Sequence, residues 1–258
     1  MAHARTKDSL KAFGKLTHLV EGEPRIVSDP PLIVPLEDLV QADEKRNVNE
    51  ALAGLIRSYR RTLAGDRRRL LERFRYVHAA RKVVGVGSVG TRAWVILMLG
   101  RDNDDPLFLQ AKEAQASVLE PYLGKSSFAN HGQRVVEGQR LMQAASDIML
   151  GWIRALGLDQ VERDFYIRQL WDGKGSALVD VMEPSALNFY AQICGWSLAK
   201  AHARSGDAVA ISSYLGTSDV FDQAMAAFAE AYADQNERDY DALKQAIESG
   251  RVKAESGL

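Results

Sequence analysis

From Asn47 onward, apolar side chains recur at helical spacing: Leu52, Leu55, Ile56, Tyr59 and Leu63 line one face as far as Gly65. Asn47 followed by Glu50 has the form of a capping box, so the stretch predicts an amphipathic helix. Asp66 is placed to cap a second helix with Leu70, Leu71, Phe74 and Val77 on its apolar side and arginines opposite. Residues 47–81 therefore read as a basic helical hairpin. Ahead of it, residues 1–46 predict an arm: a short helix from Lys7 to Leu16, a hairpin in LTHLVEGEPRIV, and a loop, SDPPLIVP, that its three prolines keep out of regular helix.

At Lys82 the period changes. KVVGVG, TRAWVILML and DPLFLQAKEA are extended segments separated by glycines and by the turn cluster GRDNDDP, which predicts three antiparallel strands. Helical spacing returns in Gln133 to Ser146 through Val136, Leu141 and Met142, and IMLGWI and DFYIRQLW are extended again. Residues 82–172 thus predict a sheet with one helix. In 173–258 the pattern is helical: Pro184 opens a helix burying Leu187, Tyr190, Ala191, Cys194, Leu198 and Ala201, and helix resumes from Ser218 to Ser249. The fold class is α+β, an antiparallel sheet with a glycine-rich hairpin packed on helices, followed by a mainly helical C-terminal part.

Composition narrows the function classes. With 33 Lys+Arg against 34 Asp+Glu in 258 residues the net charge is −1, which excludes a bulk polycation. The charge is unevenly placed: Arg57 to Lys82 carries ten basic and two acidic residues, Asp219 to Leu258 nine acidic and four basic. The basic segment offers a surface for phosphate backbones or for the acidic tail, and nucleic acid is the less favoured of the two. Cys194 is the only cysteine, so no disulfide forms within the chain and a reducing, cytoplasmic setting fits. The longest apolar run, Ala93 to Leu99, has 7 residues against the roughly 18 needed to span a bilayer, which points away from a membrane.

Candidate chemistry centres on Gly85-Val86-Gly87-Ser88-Val89-Gly90. A dinucleotide-binding turn needs a helix after this motif, yet Thr91 to Leu99 are β-branched and aromatic. Between two antiparallel strands the motif instead fits a kinase-type glycine loop, in which Gly85, Gly87, Ser88 and Gly90 bring backbone N–H groups over nucleotide phosphates. That reading asks for a lysine one hairpin later and a glutamate on the next helix to orient it. Lys112 and Glu137 meet those positions. The implied ligand is ATP with Mg; no residue set reads as a metal site of the protein's own, since the five histidines are scattered and one cysteine completes no zinc set. Catalytic residues are missing from the pattern: His202 to Asp207 lacks a suitably placed asparagine, and Asp164-Phe165-Tyr166 falls in a strand.

KVVGVGSVGTR, LFLQAKEA, SVLEPYLGKS, NHGQRVVEGQRLMQAASDIMLGW, DFYIRQLWDGKGS, GWSLAKAHARSGD and FAEAYADQNERDY together resemble successive blocks of the bacterial domain of unknown function 2252 family (DUF2252). The resemblance spans nearly the whole chain. It implies a fold related to protein kinases and aminoglycoside phosphotransferases in permuted order, with the glycine loop, lysine and helix glutamate following the catalytic blocks. It also implies an upstream segment carrying Gly-Asp-x-His-x-x-Asn-Phe and Asp-Phe-Asp-Glu stretches that this sequence lacks. On this basis the chain is expected to be a truncated, nucleotide-cradling fragment of a phosphotransferase of unknown substrate, with a second polypeptide as the partner carrying those stretches. A non-catalytic interaction protein working through residues 57–82 is the alternative.

Overall fold

The computed structural model describes residues 9–40, 45–83, 85, 90–170 and 177–254, and its contacts divide the chain into two units, Met1–Trp196 and Ser197–Leu258. The first unit is α+β. It opens with α1 (Ser9–Leu16) and the hairpin β1 (Thr17–Val20) and β2 (Glu23–Ile26), turned by Glu21 and Gly22 at φ 52° and 83° as a two-residue primed turn requires. After these come β3 (Ile33–Pro35), α2 (Lys45–Arg61), α3 (Gly65–Leu71), β4 (Arg75–Lys82), β5 (Ala93–Leu99), β6 (Pro106–Ala114), α4 (Glu120–Leu123), α5 (His131–Met142), β7 (Gly151–Leu156) and β8 (Glu162–Gln169). The main sheet is antiparallel with six strands in the order β3-β4-β5-β6-β8-β7.

Several boundaries differ from those the pattern predicts. The second helix of the basic hairpin ends at Leu71, and a strand begins at Arg75. Phe74 and Val77 fit a helical stripe, but from Arg75 to Arg81 the backbone pairs with Leu99 to Trp94, with a bulge between Tyr76 and His78, and the ladder prevails over local spacing. The N-cap of α3 is Ala64, and Asp66 lies in its first turn, where its charge still complements the helix dipole. Helix α2 starts at Lys45, so Asn47 is inside it and does not cap it. The proline loop contributes β3, and Pro35 is tolerated because β3 is an edge strand.

Alternation along the strands makes two cores. One face of the sheet carries Ala79, Ile96, Leu109, Ala111, Phe165 and Ile167 and is covered by Ile56 and Tyr59 of α2, Leu63 of the following turn and Leu71 of α3. The other carries Ala80, Val95, Leu97, Leu99 and Phe108 and packs on Ala12 and Leu16 of α1. Tyr59 crosses the first core to donate from its hydroxyl to the Met149 carbonyl.

His78 ties the small hairpin to the sheet. It is 2% exposed, and its Nδ1 accepts from the Ile26 N–H at 3.0 Å, so the ring proton resides on Nε2, which donates to Glu37 at 2.8 and 2.9 Å. Burial acts to raise the Glu37 carboxyl, but the His78 hydrogen bond outweighs it with help from backbone, and the group ends below its usual value. His78→Ala is expected to cost about 1–3 kcal/mol in urea unfolding, because a buried N–H and a partly buried carboxylate lose their partner. An unchanged midpoint would contradict this.

Pro184 does open a helix, α6 (Pro184–Ser205), but none of its residues is buried. Leu187 is 40% exposed, Tyr190 38% and Leu198 59%, so the expected buried stripe is a surface. Phe189 and Trp196 are also exposed; apolar side chains are spread around α6 and mark no single face for packing. The second unit holds α7 (Ala208–Leu215), capped by Asp207 on the N–H groups of Val209 and Ala210, and α8 (Val220–Glu248). No helix among the described residues is long and apolar enough to cross a membrane.

Candidate functional site

The glycine-rich segment connects β4 to β5. Gly87 and Ser88 lie outside the described residues; Gly85 and Gly90 stand at φ +129° and +85° with open space where a Cβ would project. Glycine is required at both by backbone conformation and not by crowding.

Lys112 lies on β6, in register with Ala93 at the start of β5 on one side and Tyr166 of β8 on the other. Directly opposed residues share a face, so Lys112, Tyr166 and Trp152, which pairs with Tyr166, belong to the same side of the sheet. Arg168, two residues beyond Tyr166, shares it. The lysine is thus beside the root of the glycine segment. Burial pushes its ammonium below the usual lysine range, and the Arg168 guanidinium pushes it further.

Both cations are under-paired, Arg168 holding one long ion pair. Among the described residues no acid pairs with Lys112. The Nε of Arg168 is buried without a hydrogen-bond partner, and its nearest carboxylate, Asp147, stands 3.9 Å away, already accepting from the N–H groups of Met149 at 2.7 Å and Gln169 at 2.6 Å. Two under-paired cations on one half-buried face favour an anion.

Helix α5 covers part of this same face. Asn130 caps it, its Oδ1 accepting from the Gln133 N–H. Asp164 of β8, 5% exposed, then accepts from Asn130 Nδ2 at 2.8 Å, from the His131 N–H at 2.8 Å, and from Arg154 at 2.7 and 3.1 Å. Alternation places Asp164 in a strand, where it anchors a helix. Pattern reading missed Arg168, Asn130 and Arg154; the signal available was Arg154 and Asp164 on neighbouring extended segments. Glu137 of α5 is not paired with Lys112. It bonds Arg140 at 3.1 Å, and Arg140 also donates to the Leu150 carbonyl and lies over the Trp152 ring at 5.8 Å.

The basic segment is partly spent on structure. Arg68 donates to the carbonyls of Arg60, Arg61 and Leu63 and so closes the C-terminal end of α2, while Arg60 donates to the Phe74 carbonyl. No group of three His, Cys, Asp or Glu side chains among the described residues is placed to hold a metal ion.

The family model described as an uncharacterized protein conserved in bacteria, DUF2252, matches residues 1–246. The chain belongs to the DUF2252 family. No curated protein and no solved structure matches it. For this DUF2252 chain the geometry of Lys112, Arg168 and the glycine segment therefore has to carry the functional reading.

Proposed function

We propose that this DUF2252 chain binds the phosphates of ATP, with its Mg, on the face of the sheet that holds Lys112. The observation that carries the reading is the pair of under-partnered cations, Lys112 and Arg168, beside the root of a glycine-rich hairpin. Glycines at positive φ allow close approach of backbone to an anion, and a lysine on the third strand of such a sheet supplies charge to it. The element order also supports it: a glycine hairpin, a lysine strand and then a helix on the lysine's face are the parts a kinase-type cradle requires. Glu137 would have to exchange Arg140 for Lys112 to orient it. Bound ATP would supply the phosphoryl group, and the reading assigns no described residue as the carboxylate for its transfer.

The test is a thermal melt with and without Mg-ATP. At a ligand concentration a hundred times Kd the native state gains about 2.7 kcal/mol, a shift of several degrees. Lys112→Ala is expected to fold and to lose that shift. A shift retained in Lys112→Ala would reject the site, and no shift in a cooperatively melting wild type would reject nucleotide binding.

A further inference from the structure

The opposite face of the sheet holds a separate cavity. Between α2 and the strands lies a pocket of about 650 Å³ whose walls include Leu52, Leu55, Ile96, Leu109, Ile153 and Phe165. Its size is that of small-molecule sites, which are lined mainly by apolar groups with a few polar ones that fix orientation. Lys112 is not among its lining residues, because alternation sends Ala111 into this pocket and Lys112 to the other side.

One end of the pocket is charged. Arg81, Arg92, Asp159 and Arg163 line it, and Glu113 stands behind Arg92 and Arg163. Arg92 bonds Asp159 at 2.9 Å and Glu113 at 3.3 Å, and Arg163 bonds Asp159 at 2.7 Å. The Asp159 carboxyl is pulled down to about 2, first by the Arg163 hydrogen bond, so it remains charged at neutral pH. Three guanidinium groups face two carboxylates, which leaves one positive charge over. Arg81 is the group with no acid partner among the described residues, and it is exposed at the rim.

We propose that this pocket is a second binding site, taking an apolar chain that ends in a single anionic head group, with the chain against α2 and the sheet and the head on Arg81. The shared chemistry covers a carboxylate and a phosphate monoester on an aliphatic tail. An apolar pocket alone would accept any greasy molecule; at its mouth Arg81, without an acid partner among the described residues, selects an anion.

Isothermal titration of the full chain with dodecanoate, dodecyl phosphate and dodecanol, each below its aggregation concentration, tests it. At least one of the two anions is expected to bind about tenfold or more tighter than dodecanol, and which one does so identifies the head group. Arg81→Gln should bring the anion to the dodecanol level without moving the melting temperature. Ala51→Trp places an indole into the pocket from an exposed position on α2 and should abolish binding of all three. Lys112→Ala should leave binding unchanged, which keeps the result independent of the nucleotide reading. Equal affinity for the anions and the alcohol, binding that survives Ala51→Trp, or binding lost in Lys112→Ala would each overturn the proposal, as would no heat with any probe.

Discussion

Gly132→Ala is expected to destabilise the chain by about 3 kcal/mol, whereas Gly138→Ala in the same helix should stabilise it by about 0.5–1 kcal/mol. Both positions are in α5, and intrinsic propensity favours alanine at each. Space decides the difference. A Cβ on Gly132 would lie 2.3 Å from the carbonyl oxygen of Phe165 and 2.6 Å from its carbon, and these are backbone atoms of a paired strand that cannot rotate away. A Cβ on Gly138 meets nothing closer than the Met142 terminal methyl at 3.9 Å. Relief at Gly132 therefore means lifting the N-terminal turn of α5 off β8. Paired urea melts read the two signs, and a stabilising Gly132→Ala would show that α5 does not dock as closely as described. Because α5 also carries Glu137 and shares the face of Lys112, Gly132→Ala should further weaken any Mg-ATP stabilisation, while Gly138→Ala should leave it intact.

The same contrast shows what the sequence makes legible. Apolar runs bounded by turn residues find β5 and β6, which are buried on both faces along most of their length, and alternation finds β8. The small hairpin was readable from LTHLVEGEPRIV, and the tip between β5 and β6 from GRDNDDP, because local backbone chemistry decides such turns. Strand β4 was not readable. Its residues Arg75 to Lys82 carry three cations, at or near the two ends of the strand, and pairing with β3 and β5 makes them a strand. The exposure of α6 was equally hidden, since a sequence shows that side chains are apolar and not whether anything covers them.

The positions of the candidate residues were legible locally: Gly85 and Gly90 stand at positive φ between β4 and β5, and Lys112 lies on the strand after the next turn. Their surroundings were not. Arg168 reaches the face of Lys112 only through the pairing of β6 with β8, strands that α4, α5 and β7 separate in the chain. The expected Lys112–Glu137 pair fails for a comparable reason: Arg140, one helical turn from Glu137, is nearer at hand, and its own bonds to Leu150 and Trp152 hold it there.

Asp164→Ala is expected to be the other large loss, about 3 kcal/mol at neutral pH. The carboxylate accepts four hydrogen bonds from three residues, and its removal strands the Asn130 amide and the His131 N–H at the start of α5, where orphan donors are already in excess. Arg154 loses its acid too, but its side chain is 49% exposed and turns to water, which keeps the cost below that of a fully buried pair. The pH dependence follows from the direction of the shift. Burial would raise the Asp164 carboxyl, yet the Arg154 hydrogen bonds, the His131 N–H and the Arg154 charge together hold it below its ordinary value. A group depressed in the folded state adds stability above its unfolded pKa, near 4, and that contribution fades as pH falls toward the lower folded value. The wild type and Asp164→Ala should therefore differ most at pH 6–8 and converge below about pH 4. Urea midpoints across that range check it: a gap that stays constant into acid would mean that Asp164 acts through shape alone and that its charge contributes nothing to seating α5 on the face that holds Lys112.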